Sequence, residues 1–184
     1  MTALPIILDL CGGTGSWSRP YADAGYDVRV VTLPFEDVRT YAPPQHVHGI
    51  LAAPPCTEFA VSGARWWSAK DPRLLDESLA VVDACLRIIL STCPDWWALE
   101  NPVGRLRRLR PVLGNPRLIF DPCDFGDPWT KRTLLWGRFT APARTPVEAS
   151  MGSRMHFVPP SPRRQAIRSA TPPGFARAFF EANP

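Results

Sequence analysis

Apolar positions fall along this chain in short closed runs, interrupted by one long stretch of helical period. Residues 5–10 form an apolar run broken only at Asp9 and followed by glycines, the pattern of a buried parallel strand entering a tight turn. Residues 16–24 predict a first helix, and the β-branched run 28–33 a second strand. A third strand is expected at 48–53, stopped by Pro54-Pro55. Over 73–92 the apolar residues Leu74, Leu75, Leu79, Val81, Val82, Cys85, Leu86, Ile88, Ile89 and Leu90 give a helix with a wide buried face, ended by Pro94. Residues 96–99 predict a strand leading to Glu100, and 104–109 a short basic helix. Two further strands are expected at 118–120 and 133–139, and a last helix at 171–181. Residues 140–165 carry proline and arginine with little periodicity and read as a long loop.

Strands alternating with helices predict an α/β fold with a mostly parallel sheet. In such sheets ligands gather beyond the carboxyl ends of the strands. Asp9, Cys56 and Glu100 all fall at such ends, so one crevice can hold them.

Composition narrows the picture. A chain of 184 residues, 45% hydrophobic and 21% charged, is about one domain with a sizeable core. It shows neither an apolar run of membrane-spanning length nor a signal-peptide pattern, so a cytoplasmic protein is expected. Five cysteines, odd in number and never paired as CxxC, argue against a disulfide framework and a zinc site, and three scattered histidines suggest no metal. The 22 prolines are spread out and mark turns and strand ends. A net charge of +4 permits a polyanionic partner. Arg105, Arg107, Arg108 and Arg110 form one basic cluster; Arg163, Arg164 and Arg168 form another. Either alone reads equally well as a solvated face.

Three pieces carry candidate chemistry. Asp9-Leu10-Cys11-Gly12-Gly13-Thr14-Gly15 places glycines where backbone approaches a ligand, with helix N–H groups following. Alone it is equally a plain strand-to-helix turn. Pro54-Pro55-Cys56-Thr57-Glu58-Phe59-Ala60 carries a cysteine that is either a nucleophile or a small core residue. Glu100-Asn101-Pro102 is either an acid held in an apolar pocket or a polar turn. Cytosine C5 is a poor nucleophile. Thiolate attack at C6, helped by an acid at N3, turns the ring into an enamine that takes an alkyl group at C5. A prolyl cysteine and a buried glutamate suit those two roles.

In this order and spacing the pieces resemble the cytosine-C5 DNA methyltransferase family. Its motifs DLFxGxGG, PPCQxFS, ENV, GxPQxRxR and GNAVPPxxA are matched by the glycine loop, by 54–60, by 100–102, by Gly126-Asp127-Pro128-Trp129-Thr130-Lys131-Arg132 and by Arg168-Ser169-Ala170-Thr171-Pro172-Pro173-Gly174-Phe175-Ala176. The departures are Cys11 for the aromatic residue, Ser16 for the last glycine, Trp129 for glutamine, and Arg168-Ser169 for Gly-Asn. Thr32 stands where the family usually has an acid for the ribose hydroxyls. The resemblance spans about 5–137 and 165–182.

It implies a single catalytic domain of the Rossmann-like S-adenosylmethionine-dependent methyltransferase fold. The cofactor is then expected against Asp9, Leu10, Cys11, Gly12, Gly13, Thr14, Gly15, Ser16 and Trp17. Thr32, Leu33, Asp37, Val38 and Pro54 surround its other end, and Ser169 and Ala170 complete the pocket. Cys56 is the implied nucleophile and Glu100 the acid, with Asn101 beside it. Arg132, with Lys131 next to it, is the expected contact to the base O2. The partner is DNA with a cytosine flipped from the stack, approached by Thr57, Arg65, Trp66, Lys70, Arg105 and Arg107. The region that reads a DNA sequence in this family is reduced to 138–165, so specificity is expected to be short, absent, or supplied by a partner protein. Compact members of this kind resemble versions in bacteriophage genomes, which would place this one as a monomer in a bacterial or phage-infected cell.

Three alternatives stay open. Thr32, Arg168 and Ser169 suit a modified cofactor such as carboxy-S-adenosylmethionine, whose carboxylate an arginine would pair. Free cytidine nucleotides are a second acceptor. A catalytically silent DNA- or cofactor-binding relative is the third.

Overall fold

The structure, a computed structural model, describes residues 4–184. Strand β1 (Ile6–Leu10) lies between β2 (Asp27–Val31) and β3 (Gly49–Ala52), and β3 pairs in turn with β4 (Trp96–Pro102). These four run parallel. Strands β5 (Leu118–Phe120) and β6 (Thr133–Arg138) complete a six-stranded sheet of order β2-β1-β3-β4-β6-β5. Strand β6 is antiparallel to both of its neighbours, so the sheet is parallel over β1–β4 and antiparallel where β6 joins β4 to the edge strand β5.

The strands alternate with period two, and both faces are buried. Leu8, Leu10, Ile50, Ala52 and Leu99 face helix α2 (Pro72–Thr92), meeting Leu79, Val82, Cys85, Ile88 and Ile89. Ile7, Leu51 and Ala98 face the other way, onto α1 (Arg19–Asp23) and α5 (Pro173–Ala182) through Trp17, Tyr21, Phe175 and Phe179. Helix α2 starts where expected: Asp71 accepts the Arg73 N–H at 2.9 Å, and Pro72 supplies the fixed φ of a first turn. It ends at Cys93, left-handed at φ 46°, before Pro94.

Several elements differ from the sequence expectation for identifiable reasons. Helix α1 begins at Arg19 rather than residue 16, because residues 16–18 belong to the turn that Ser18 closes. Strand β2 stops at Val31, since the Thr32 carbonyl accepts the N–H groups of Phe35 and Glu36 in a turn. Strand β4 runs past Leu99 to Pro102, because β6 pairs Glu100 with Leu135, Asn101 with Leu134 and Pro102 with Thr133. Two short helices follow in the second half, α3 (Leu106–Leu109) and α4 (Arg164–Ser169), the latter starting inside the expected loop. The rest of that loop is strapped to the body: Thr145, Val147 and Met151 donate backbone N–H bonds to Asp124, Cys123 and Pro128. No helix among the described residues is long and apolar enough to cross a membrane.

Candidate active site

The parallel part of the sheet ends on one line. Leu10 pairs with Ala52, and Ala52 with Leu99, so the glycine loop, the Pro54-Pro55-Cys56 turn and Glu100 leave the sheet side by side. Local chemistry then shapes each piece.

Asp9 is fully buried on the α1 face. Its Oδ2 accepts the Ser18 hydroxyl at 2.6 Å, while its Oδ1 has no partner among the described residues. Burial raises its pKa to about 6 against the opposing Ser18 hydrogen bonds. Gly12 lies directly over this carboxylate: a Cβ there would stand 2.4 Å from Asp9 Cγ. The loop turns through left-handed residues at Cys11 (φ 58°), Gly13 (φ 56°) and Gly15 (φ 69°). Cys11 adopts this conformation against its own preference, a cost of about 1 kcal/mol or more that the surrounding contacts offset. Ser16 Oγ accepts the Thr171 N–H at 2.9 Å, which seats the stretch after α4 on the glycine loop.

Cys56 opens a turn in which its carbonyl accepts the N–H groups of Phe59 and Ala60. Asn101 is fully buried and donates from Nδ2 to the Pro54 carbonyl at 3.0 Å, so β4 holds the cysteine turn from beneath. Its Oδ1 is buried without a partner among the described residues. A second tie runs from residues 103–105 to 59–61: Val61 N–H donates to Val103, Arg105 N–H donates to Phe59, and Gly104 leaves only 1.9 Å between a hypothetical Cβ and the Phe59 carbonyl. Any larger residue there would push the cysteine turn off Glu100.

The titratable groups converge. Lys131 Nζ is 4.0 Å from Glu100 Oε1, and these side chains are 19% and 17% exposed. Burial raises the Glu100 carboxyl and Lys131 draws it back down. The Cys56 thiol is also raised, first by burial and then by the Glu100 carboxylate, with Lys131 and Arg168 opposing. The thiol, the acid and two cations thus share one field. Beside them a crevice of about 10 Å3, room for one water, is lined by Glu100, Phe120, Lys131, Thr133, Ser169 and Thr171, with Pro172 and Phe175.

The structure redistributes several expected roles. Arg132, expected at the base, turns away: it is 63% exposed and pairs with Asp121 at 3.0 Å, while Lys131 occupies the crevice. Trp17, expected at the cofactor, is buried among Phe175 and Phe179, ring centroids 5.9 and 5.5 Å away. Val38, expected against a ligand ring, is a core residue. Asp37 is engaged by Arg39 in a two-pronged pair with a shortest distance of 2.6 Å, which lowers its pKa. Leu33 is 66% exposed at the tip of β2. Lys70 is not a free cation: it pairs with the buried Glu58 at 2.7 Å and donates to the Thr57 carbonyl. Arg105 donates to the Glu58 carbonyl and stacks on Trp67 at 4.2 Å, and Arg107 donates to Asn115. Arg65 lies over the Trp66 ring at 5.0 Å. Ser18, Glu58 and Thr171 were not picked out in the sequence. For Ser18 alone a local signal existed, a hydroxyl residue just ahead of Arg-Pro where helices start.

No protein-family model and no curated protein matches the chain. Among solved structures, the fold is similar to that of a protein described as a DNA modification methyltransferase encoded within an E. coli prophage, with 18% identity and a TM-score of 0.52. The likeness covers 73% of this chain and 46% of that one, so this chain spans less than half of the prophage protein. The Entamoeba histolytica methyltransferase EhMeth aligns over 88% of this chain and 61% of its own, at 12% identity and a TM-score of 0.44, and adds nothing to the fold assignment. The chain thus has the Rossmann-like α/β fold, a twisted sheet with helices on both faces.

Proposed function

We propose that this chain transfers a methyl group from S-adenosylmethionine to C5 of cytosine in DNA, through a covalent bond between Cys56 Sγ and cytosine C6. The observation that carries the reading is the shared site of Cys56, Glu100 and Lys131 at the ends of β3 and β4, next to a glycine loop. The description of the prophage protein as a DNA modification methyltransferase agrees with it.

The residues present fit the cofactor at its amino-acid end. Asp9 Oδ1 lacks a partner and sits beneath a glycine loop whose backbone is open to close approach. Ser16 accepts the Thr171 N–H, and Thr171 with Ser169 lines the crevice beside Glu100. At the nucleoside end Leu33 offers an exposed apolar side chain, and Asp37 would have to give up Arg39. When bound, the cofactor supplies an electrophilic methyl group to C5 and leaves as a neutral thioether.

This chain's own groups manage the ring. Glu100, whose carboxyl burial pushes toward the protonated form while Lys131 opposes it, holds a proton at N3 and draws electrons from C6. The Cys56 thiol must lose its proton before attack, and Lys131 and Arg168 stabilise the resulting thiolate. The S–C6 bond forms as the C5–C6 π pair moves to C5. After alkylation the C5 proton leaves to water, the C6–S bond breaks, and the thiolate and the aromatic ring return. Asn101 keeps the cysteine turn over Glu100 throughout.

The test incubates purified protein with S-adenosylmethionine and mixed-sequence DNA, then digests the DNA to nucleosides for mass spectrometry. The expected product is 5-methylcytosine, absent with Cys56→Ala. No product from the wild type, or product that survives Cys56→Ala, would remove the covalent reading. Offering carboxy-S-adenosylmethionine and free dCMP in parallel arms tests the modified cofactor and the nucleotide acceptor.

A further inference from the structure

Residues 61–69 leave the cysteine turn and return to it. This stretch, Val61–Ala69, is a 3-10 segment with no buried side chain. Its first foot is tied by the Val61 N–H to the Val103 carbonyl. Its second foot is tied by Lys70, which reaches the Thr57 carbonyl at 3.1 Å and Glu58 at 2.7 Å. Both feet therefore stand beside Cys56. Between them Trp67 is held under Arg105, whose guanidinium is itself fixed by the Glu58 carbonyl. Trp66 is left 55% exposed, with Arg65 over its ring. The loop is thus pinned, and it presents a half-exposed indole with a guanidinium over one face of its ring.

We propose that Trp66 is a stacking platform for an unpaired base, and that the substrate is single-stranded rather than duplex DNA. This deepens the proposed function and rests on DNA being the acceptor. Two arguments favour one strand. Base faces inside a duplex are covered by their neighbours, so an open indole finds no face until a pair has been broken, whereas a single strand offers one at every nucleotide. Duplex modules bury upwards of about 600 Å2 of protein surface, and here the segment available for that role is strapped against residues 121–130 by backbone hydrogen bonds. The +4 net charge and Arg65 suit the phosphates of either form and do not separate them. A strand lying over Trp66 delivers a nearby cytosine to Cys56 without opening a helix. Its recognition is by stacking, which tolerates any base, so methylation spreads over many sequence contexts.

The test measures binding by fluorescence anisotropy at fixed low salt, without cofactor, so that it does not depend on methyl transfer. A cytosine-containing mixed-sequence oligonucleotide is used alone and annealed to its complement, with wild type, Trp66→Ala and Trp66→Phe. The expected result is tighter binding of the single strand, weakened about tenfold in Trp66→Ala with duplex binding little changed. Trp66→Phe should keep most of the affinity. Thermal melts of both variants should match wild type, since the residue is exposed. Duplex binding as tight as single-strand binding, or equal weakening of both forms in Trp66→Ala, would overturn the inference and leave the methyl-transfer reading standing. Failure to bind either form would overturn both.

Discussion

The two ends of the sheet's carboxyl edge, at β3–β4 and at β2, are built in opposite ways. Around Cys56 and Glu100, every functional group is held by something distant in sequence: Asn101 holds Pro54, residues 103–105 hold 59–61, and Lys131 reaches Glu100. At the tip of β2 the groups are held locally. Asp37 is tied to Arg39 two residues on, Thr32 closes its own turn, and Leu33 stands open. The first end is desolvated and its pKa values are displaced; the second is solvated and adjustable. Covalent chemistry needs its reacting groups fixed and stripped of water before substrate arrives, because their protonation states depend on it. A surface that only has to grip a ligand can wait for the ligand to organise it.

That contrast is open to breakage. The largest effect is expected at the fixed end. Glu100→Gln removes the proton held at N3 and should lower kcat by about 10²–10⁴-fold with the fold intact, as read by single-turnover methyl transfer. A loss below tenfold would move Glu100 out of the acid role.

Asp9 tests the cost of a buried carboxyl. Its pKa is raised from 3.8 to about 6, so the folded state binds its proton more tightly than the unfolded chain. The stability this provides is fully present below pH 3.8 and is lost as pH rises through about 6. The loss amounts to about 3 kcal/mol at the level of 1.36 kcal/mol per pKa unit. Asp9→Asn keeps an acceptor for Ser18 and lacks this titration. Its melting temperature should therefore fall less than that of wild type between pH 4 and pH 7; parallel curves would refute the burial argument.

Next come the two neighbouring cations. Lys131 lowers the pKa of both Glu100 and Cys56, so Lys131→Met raises both. Both limbs of the pH–rate profile, set between them by the Cys56 thiol and the Glu100 carboxyl, should move to higher pH. Arg132→Met breaks the pair between an exposed guanidinium and the buried Asp121, outside the crevice, and should leave the profile in place. If instead Arg132→Met moves the limbs, Lys131 is not the crevice cation.

The smallest effect belongs to the open end. Thr32→Asp supplies a carboxylate at the end of β2, where charge-assisted hydrogen bonds to ribose hydroxyls are about tenfold stronger than a threonine can provide. Calorimetry should show S-adenosylmethionine binding tightened by that order. Unchanged affinity would mean that the nucleoside lies elsewhere.

Much of the architecture was legible from local pattern. The apolar runs at 6–10 and 49–52 are strands because buried parallel strands are apolar on both faces. Helix α2 followed from its period and its Pro94 stop. The antiparallel direction of β6 was not legible, since strand direction depends on how the chain returns to the sheet and leaves no mark in residue type. The site divides the same way. Cys56 and Glu100 stood out because each follows a strand pattern and carries a group that such a position rarely needs for packing. That Lys131 lines the crevice while Arg132 points outward did not, because adjacent residues in an extended segment point to opposite sides and only the partner strand says which side is the crevice.

By itself, then, the sequence determined which segments are strands and helices, where the glycines and prolines force turns, and which side chains carry reactive groups. These follow from backbone propensity and hydrophobic period, which act over a few residues. Only the tertiary structure decided that Asn101 holds the Pro54 carbonyl, that Trp17 and Val38 belong to the core, that Lys70 is spent on Glu58, and that Lys131 shares a field with Cys56 and Glu100. Burial and charge act through space: the pKa of a group, and whether its partners are free, depend on neighbours tens of residues away along the chain.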